Sequence, residues 1–107
     1  MTRRRDIQQL LKTGRRYSTP ALMLRASPNL RSFQRVTVVV GLAVSKRATM
    51  RNTLKRQLRH ILKDELKGSR IGADIMLSTK AAALRLGRDE RVSAVRFLLG
   101  RANLLKR

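Results

Sequence analysis

The chain has 107 residues and no cysteine. It contains 26 Lys and Arg residues but only 6 Asp and Glu residues, which gives a net charge of +20. This length suits one domain, 1–107, with a modest core, and the lack of cysteine excludes disulfides and thiolate metal sites. Because like charges repel in a compact domain, a polyanion such as nucleic acid is the expected partner. An anionic membrane surface would also suit the charge, but no long apolar run or apolar amphipathic anchor supports it.

The first third of the chain predicts one helix and one extended stretch. Residues 1–5 form a basic arm that we expect to be mobile until RNA binds. A short helix is predicted over 6–13, with an apolar face of Ile7, Leu10 and Leu11. An extended stretch runs from Gly14 to about residue 26, where Pro20 suggests an edge position or a strand start. Residues 27–29 then predict a turn.

The rest of the chain predicts two strands and two helices. Residues 34–44 are dense in β-branched residues and apolar at nearly every position, which is typical of a strand covered on both faces. A basic helix follows from about residue 49 to 67, then a strand over 71–79, which together make a crossover connection. A loop or loose helical turn precedes the last helix, predicted over 89–105. Its core stripe is Val92, Val95, Leu99 and Ala102.

The basic helix is rich in Lys and Arg and contains no acid before Asp64. Its apolar stripe recurs at spacings of three and four: Met50, Leu54, Leu58 and Ile61. The opposite side carries Asn52, Arg56, Arg59 and Lys63, and Arg51 and Lys55 flank the apolar stripe. A solvated helix face is the alternative, but such faces usually carry acids at i,i+4 to balance the cations. The pattern favours a phosphate-binding face, which Arg forks and Lys point charges suit.

Few residues suit protein-based catalysis. The acids pair up only as neighbours at predicted helix ends, where consecutive side chains diverge, and Asp74 is interpreted as a turn or edge residue. His60 has no acid or nucleophile obviously paired with it. Neither a Walker-type loop nor an HExxH motif is present. The sequence therefore argues against a self-sufficient enzyme.

The stretch SKR…RNTLKRQLR resembles the signature of the bacterial ribonuclease P protein subunit, in which a strand end precedes a helix carrying R-N-R-x-K-R-x-x-R. The matching positions are Arg51, Asn52, Lys55, Arg56 and Arg59. Two departures are Thr53, where the family usually has Arg, and a loop before the helix that is shorter by about three residues. Residues 6–14 and 74–80 also resemble the family's opening helix and late strand.

The resemblance implies an α+β fold in which a mixed four-stranded sheet and three helices form a two-layer sandwich. The implied order is αβββαβα, as in domain 2 of ribosomal protein S5. Only two convincing strands precede the basic helix, so the third must be short. Crossovers of this kind are usually right-handed, whereas the family is known for a left-handed one, and both hands remain open.

The resemblance also implies a role. In the bacterial holoenzyme the RNA is the catalyst, Mg²⁺ is held mainly by RNA, and the protein binds the catalytic RNA and the 5′ leader of precursor tRNA. It thereby assists endonucleolytic removal of the leader. We expect one protein per RNA, in the bacterial cytoplasm. The expected RNA-binding residues are Ser45, Lys46, Arg47, Arg51, Asn52, Lys55, Arg56, Arg59 and Lys63.

A leader groove is expected between the basic helix and the sheet. The family carries aromatic residues there, whereas the matching positions here are Ile7, Leu11 and a position near Arg25. Tyr17 is the one plausible stacking residue, with Arg15, Arg16 and Arg25 as further candidates. Since base stacking on aromatic rings would be mostly lost, we expect leader binding through charge and apolar contact, with little sequence preference.

Two other classes of protein share the composition. A structural RNA-binding protein, such as a small ribosomal protein, has similar charge and is separated only by the motif on the basic helix and its flanks. A sequence-specific DNA-binding domain is disfavoured, because the basic helix follows a β-rich segment rather than lying in a helix-turn-helix.

Overall fold

The computed structural model describes residue 10 and residues 14–29 and 33–105. These residues contain two long helices and four strands. They run β1 Arg15–Ser18, β2 Leu22–Pro28, β3 Gln34–Val39, α1 Ala48–Leu66, β4 Ala73–Thr79, a 3₁₀ turn Ala81–Arg85, and α2 Arg88–Arg101. No helix in this part of the chain is long and apolar enough to span a membrane.

The four strands form one mixed sheet in the order β1-β2-β4-β3. β1, β2 and β4 pair antiparallel, whereas β3 pairs parallel to β4 through the α1 crossover. Both long helices lie on one face of the sheet, α1 against β3, and α2 against β2 and β1. The α+β class, the mixed four-stranded sheet and the strand–helix–strand crossover are therefore as predicted.

The predicted third helix falls mostly outside the described residues. Of residues 6–13, only Leu10 is described, and it is helical and buried. Its carbonyl accepts a hydrogen bond from the N–H of Gly14 at 2.8 Å. A Cβ at Gly14 would lie 2.5 Å from that carbonyl oxygen, so this close turn favours glycine.

The third strand before the basic helix is β1, which had no clear pattern of its own. Its polar residues Arg15–Ser18 pair with Met23–Ala26 of β2. Between the two strands, the hydroxyl of Thr19 accepts hydrogen bonds from the N–H groups of Ala21 (3.3 Å) and Leu22 (3.0 Å). Pro20 therefore lies in a tight turn rather than at a strand start. The turn predicted at 27–29 was wrong for its first two residues, because Pro28 pairs with Ala73 in the sheet.

The strand predicted over 34–44 was too long and too buried. β3 ends at Val39 and is an edge strand, so only Val38 of this strand is fully buried. Val39 is 44% exposed and Leu42, in the following turn, is 69% exposed. A run of β-branched residues indicates a strand but does not reveal whether that strand has a neighbouring strand on both sides.

The core lies between the sheet and the two helices. α1 contributes Leu54, Leu58 and Ile61 as predicted, whereas Met50 was wrongly included, since it is 42% exposed. Leu62 and Leu66 were missed and are buried. The buried stripe thus begins one turn later than the sequence pattern suggested and continues to the last residue of the helix.

The last helix ends four residues earlier than predicted. Asn103 has a positive φ of 58°, and the N–H of Leu104 donates to the carbonyl of Leu99 at 2.9 Å. This left-handed cap closes the helix and turns Leu104 back into the core. Val95, Leu98 and Leu99 form the buried stripe of α2, while Val92 and Ala102 are half-buried.

The interpretation of Asp74 as a turn or edge residue was wrong, because Asp74 lies in the central strand β4. The guanidinium of Arg35 donates to both of its carboxylate oxygens at 2.8 Å, and the side-chain amide of Asn29 donates at 3.0 Å. The hydrogen bond from Arg35 is the main reason why the pKa of Asp74 lies below its usual value, against the opposing effect of burial. Asp74 therefore ties β3 to β4 and to the end of β2.

Replacing Asp74 by asparagine is expected to lower the free energy of unfolding by about 1–3 kcal/mol at neutral pH, because Arg35 loses its ionised partner. A carboxylate whose pKa is lowered by folding stabilises the fold above its unfolded pKa, near 3.8, and loses this effect as the pH falls through the folded value. Urea unfolding of both proteins through this acid range should therefore show a weaker pH dependence in Asp74→Asn. Asp89→Asn, on the exposed first turn of α2, is the charge-matched control. Identical pH profiles for the wild type and Asp74→Asn would contradict the assignment.

Candidate RNA-binding surface

The basic face of α1 is exposed along the helix. Asn52, Arg56, Arg59 and Lys63 are all solvent-exposed, and Arg51 and Lys55 are half-buried at its margin. Leu54, Leu58 and Leu62 hold the opposite side against the sheet. Because the buried side sets the rotation of the helix, the cationic row faces outward as the sequence predicted.

The loop before α1 is connected to the helix by Arg51. One guanidinium nitrogen of Arg51 donates to the backbone carbonyl of Ser45 at 2.9 Å, and the hydroxyl of Ser45 accepts the N–H of Arg47 at 3.1 Å. Lys46 and Arg47 remain exposed beside the start of the basic face. The structure thus brings residues 45–47 and the helix together as one continuous cationic surface.

Thr53 does not extend this surface with a charge. Its hydroxyl donates to the backbone carbonyl of Thr49 at 2.9 Å, a bond within the helix. The position that usually carries arginine in the family therefore contributes only a small polar side chain here.

Within the described residues, neither acid at the end of α1 pairs with a cation of the basic face. Glu65 accepts two hydrogen bonds from Arg96 of α2 (2.8 and 3.1 Å), and chiefly this contact lowers the pKa of Glu65. Asp64 lies 3.3 Å from His60, one turn earlier. The sequence predicted helix-end charges, but it did not reveal that Glu65 joins the two helices.

The candidate leader residues do not meet in one groove between α1 and the sheet. That space is filled by the core, which includes Leu24, Leu58 and Leu77, so the expected location was wrong. Arg16 and Arg25 are cross-strand partners, and side-chain alternation places both on the other face of the sheet, away from the long helices.

Arg15 and Tyr17 lie on the helix-covered face of β1. Tyr17 packs against the core, and both residues line a shallow surface pocket beside Asn103 and Leu104 at the end of α2. Ile7 and Leu11 lie outside the described residues. The four described candidates for leader binding are therefore divided between the two faces of the sheet.

Among the described residues, no group of three or more His, Asp or Glu side chains is arranged to hold a metal ion. Of the five acids in the described part of the chain, two are engaged by arginines: Glu65 by Arg96 and Asp74 by Arg35. The surface offers cations and hydrogen-bond donors, which suit phosphate groups rather than metal ions.

The sequence and the fold were compared with those of known proteins. The sequence model of the family Ribonuclease P matches residues 1–103. The ribonuclease P protein component of Dehalococcoides mccartyi (strain CBDB1) is 32% identical over 107 residues, covering all of this chain and 87% of the relative. That of Synechococcus elongatus (strain ATCC 33912) is 36% identical over 110 residues, covering 98% and 86%. The Staphylococcus aureus RNase P protein has the same fold, with a TM-score of 0.88, 18% identity, and coverage of 99% and 96%.

Proposed function

Because this chain belongs to the ribonuclease P protein family and is thus a protein subunit of that tRNA-processing endoribonuclease, we propose that α1 is its main contact with the catalytic RNA. The observation that supports this contact most directly is the exposed, acid-free row of cations on α1. Catalysis itself is assigned to the RNA, and the protein supplies binding.

The proposed contact set consists of side chains that converge on one surface. Arginine forks can bind phosphate oxygens in pairs, lysines add point charges, and Asn52 adds an amide. Such contacts reduce the repulsion between the catalytic RNA and precursor tRNA, two polyanions that must approach each other closely. The proposed residues are Ser45, Lys46, Arg47, Arg51, Asn52, Lys55, Arg56, Arg59 and Lys63.

We place the 5′ leader on the sheet face that carries Arg16 and Arg25, because the other face is occupied by the core. Tyr17 and Arg15 would contact it only at the margin of β1, and Ile7 and Leu11 from the predicted first helix. Since few aromatic residues are available for base stacking, leader binding should depend little on leader sequence. Equal affinity for precursors with permuted leaders would support this, and a strong preference would contradict it.

Further parts of the proposal concern the assembly. Mg²⁺ is held mainly by the RNA, one protein binds one RNA, and the holoenzyme acts in the bacterial cytoplasm. Residues 1–107 act as one RNA-binding domain. It begins with a basic arm at 1–5 and a helix over 6–13. Its β3–α1–β4 crossover is left-handed, and its fold is like that of domain 2 of ribosomal protein S5. Native mass spectrometry of the complex tests the stoichiometry, and NMR of the free protein tests the first helix.

The central experiment is cleavage of a precursor tRNA by a bacterial ribonuclease P RNA at low magnesium, with and without this protein. Strong stimulation with cleavage at the mature 5′ end is expected, because added positive surface substitutes for part of the magnesium requirement. Lack of stimulation, together with tight binding to unrelated structured RNAs, would instead indicate a structural RNA-binding protein.

A further inference from the structure

A small hollow lies between α1 and the first turn of α2, next to the basic face. It has a volume of about 110 Å³ and is lined by Gln57, His60, Ile61, Arg88 and Arg91. Arg91 also lines a second hollow on the other side of Gln57, beside Thr53. Gln57 and His60 follow Arg56 and Arg59 by one position, so the hollow adjoins the cationic row of α1.

The cationic charge of Arg91 is not neutralised where the two helices meet. One guanidinium nitrogen of Arg91 donates to the side-chain oxygen of Gln57 at 2.7 Å, and Gln57 carries no charge. The Nε of Arg91 is enclosed and has no hydrogen-bond acceptor within the described part of the chain. One and a half turns further along α2, by contrast, Arg96 is ion-paired with Glu65 of α1.

The described acids near the hollow do not pair with its two arginines. Arg88, Arg91 and Val95 follow one another at spacings of three and four, so the two arginines lie on the same side of α2 as the buried Val95, with Arg88 exposed at the start of the helix. Asp89 and Glu90 lie between them in sequence and are exposed. Glu90 accepts the N–H of Gly87 at 2.9 Å, and Asp64 is the partner of His60. In the described residues no carboxylate pairs with Arg88 or Arg91.

We propose that Arg88, Arg91, Gln57 and His60 form a second phosphate site, which binds one backbone phosphate of the catalytic RNA and extends the RNA surface from α1 onto α2. The guanidinium of Arg91 lines the hollow and keeps its charge, so a phosphate there would neutralise it, and Arg88 would add a second fork from the rim. This proposal rests on the proposed function, since it names the same RNA as its ligand.

Two substitutions test the site without disturbing the core. Arg91→Gln removes the cation, and Gln57→Glu places a carboxylate at the oxygen that already accepts from Arg91, which neutralises the guanidinium inside the protein. Each should weaken binding to a bacterial ribonuclease P RNA about tenfold and reduce the salt slope by about one, as expected for one lost phosphate contact. Thermal unfolding should show that Gln57→Glu is at least as stable as the wild type.

Matched controls separate a local site from net charge. Arg101→Gln removes one cation at the other end of α2, and Ser93→Glu adds one acid on its exposed side. Both should change the RNA affinity less than threefold, because no specific phosphate contact is lost. If Arg91→Gln and Gln57→Glu match these controls in affinity and salt slope, the second site does not exist.

A titration with inorganic phosphate provides a readout that does not depend on the proposed function. The NMR signal of the Arg91 Nε–H should shift in the wild type and much less in Gln57→Glu. Such a shift combined with unchanged RNA affinity in both variants would overturn the assignment to RNA and leave an anion pocket. If the wild type shows this shift but neither binds nor stimulates a bacterial ribonuclease P RNA, the proposed function fails, whereas the pocket does not.

Discussion

Replacing Leu58 by alanine is expected to lower the free energy of unfolding by about 2–5 kcal/mol, the range for a large buried side chain that leaves a cavity. Leu58 is fully buried in the cluster that holds α1 against the sheet. Because this contact fixes the rotation of α1, its loss also threatens the display of the basic face. Urea unfolding monitored by circular dichroism measures the effect.

The control for this change is Leu42→Ala. Leu42 is 69% exposed in the turn after β3, so its truncation should change stability by no more than about 0.5 kcal/mol. Equal stabilities of Leu58→Ala and Leu42→Ala would show that α1 does not pack on the sheet through this stripe.

Replacing Arg56 and Arg59 together by glutamine is expected to weaken binding to a bacterial ribonuclease P RNA by at least about a hundredfold, since each charged hydrogen bond lost costs about 1.5–3 kcal/mol and about 1.4 kcal/mol is tenfold in affinity. The slope of log affinity against log salt should become shallower by about two. Both side chains are exposed and contribute nothing to the core, so stability should be unchanged, or slightly higher because like charges repel. Filter binding over a range of salt concentrations gives both quantities.

A double variant of equal charge, Arg70→Gln with Arg101→Gln, distinguishes a specific face from net charge. Both arginines are exposed and lie outside α1. If this control weakens binding and lowers the salt slope as much as the α1 variant does, the RNA responds to total charge and α1 has no special role.

Local periodicity predicted the elements that carry the site. The basic helix was predicted within one residue at each end, and its cationic row is exposed, because the helical repeat itself separates the two faces. The crossover followed from the strand–helix–strand order, whereas the α+β class came from the family resemblance. Met50 was misplaced because the pattern of apolar residues does not show where the neighbouring elements end.

Short and edge elements were harder to predict from the sequence. β1 has four residues, all polar or aromatic, and becomes a strand only by pairing with β2 across the turn at Thr19. β3 has the composition of a central strand but lies at the edge. Neither outcome is encoded locally, since each depends on which strand lies alongside.

The sequence by itself determined the charge, the basic helix with its two faces, and the family, because these depend on residue type and on the regular repeat of one helix. Only the tertiary structure decided which side chains meet across elements. The pairs Arg35–Asp74, Glu65–Arg96 and Gln57–Arg91 are 39, 31 and 34 residues apart in the chain. These contacts are made when the helices pack on the sheet, so they are properties of the packed domain. They determine which arginines are neutralised and which keep their charge available for RNA.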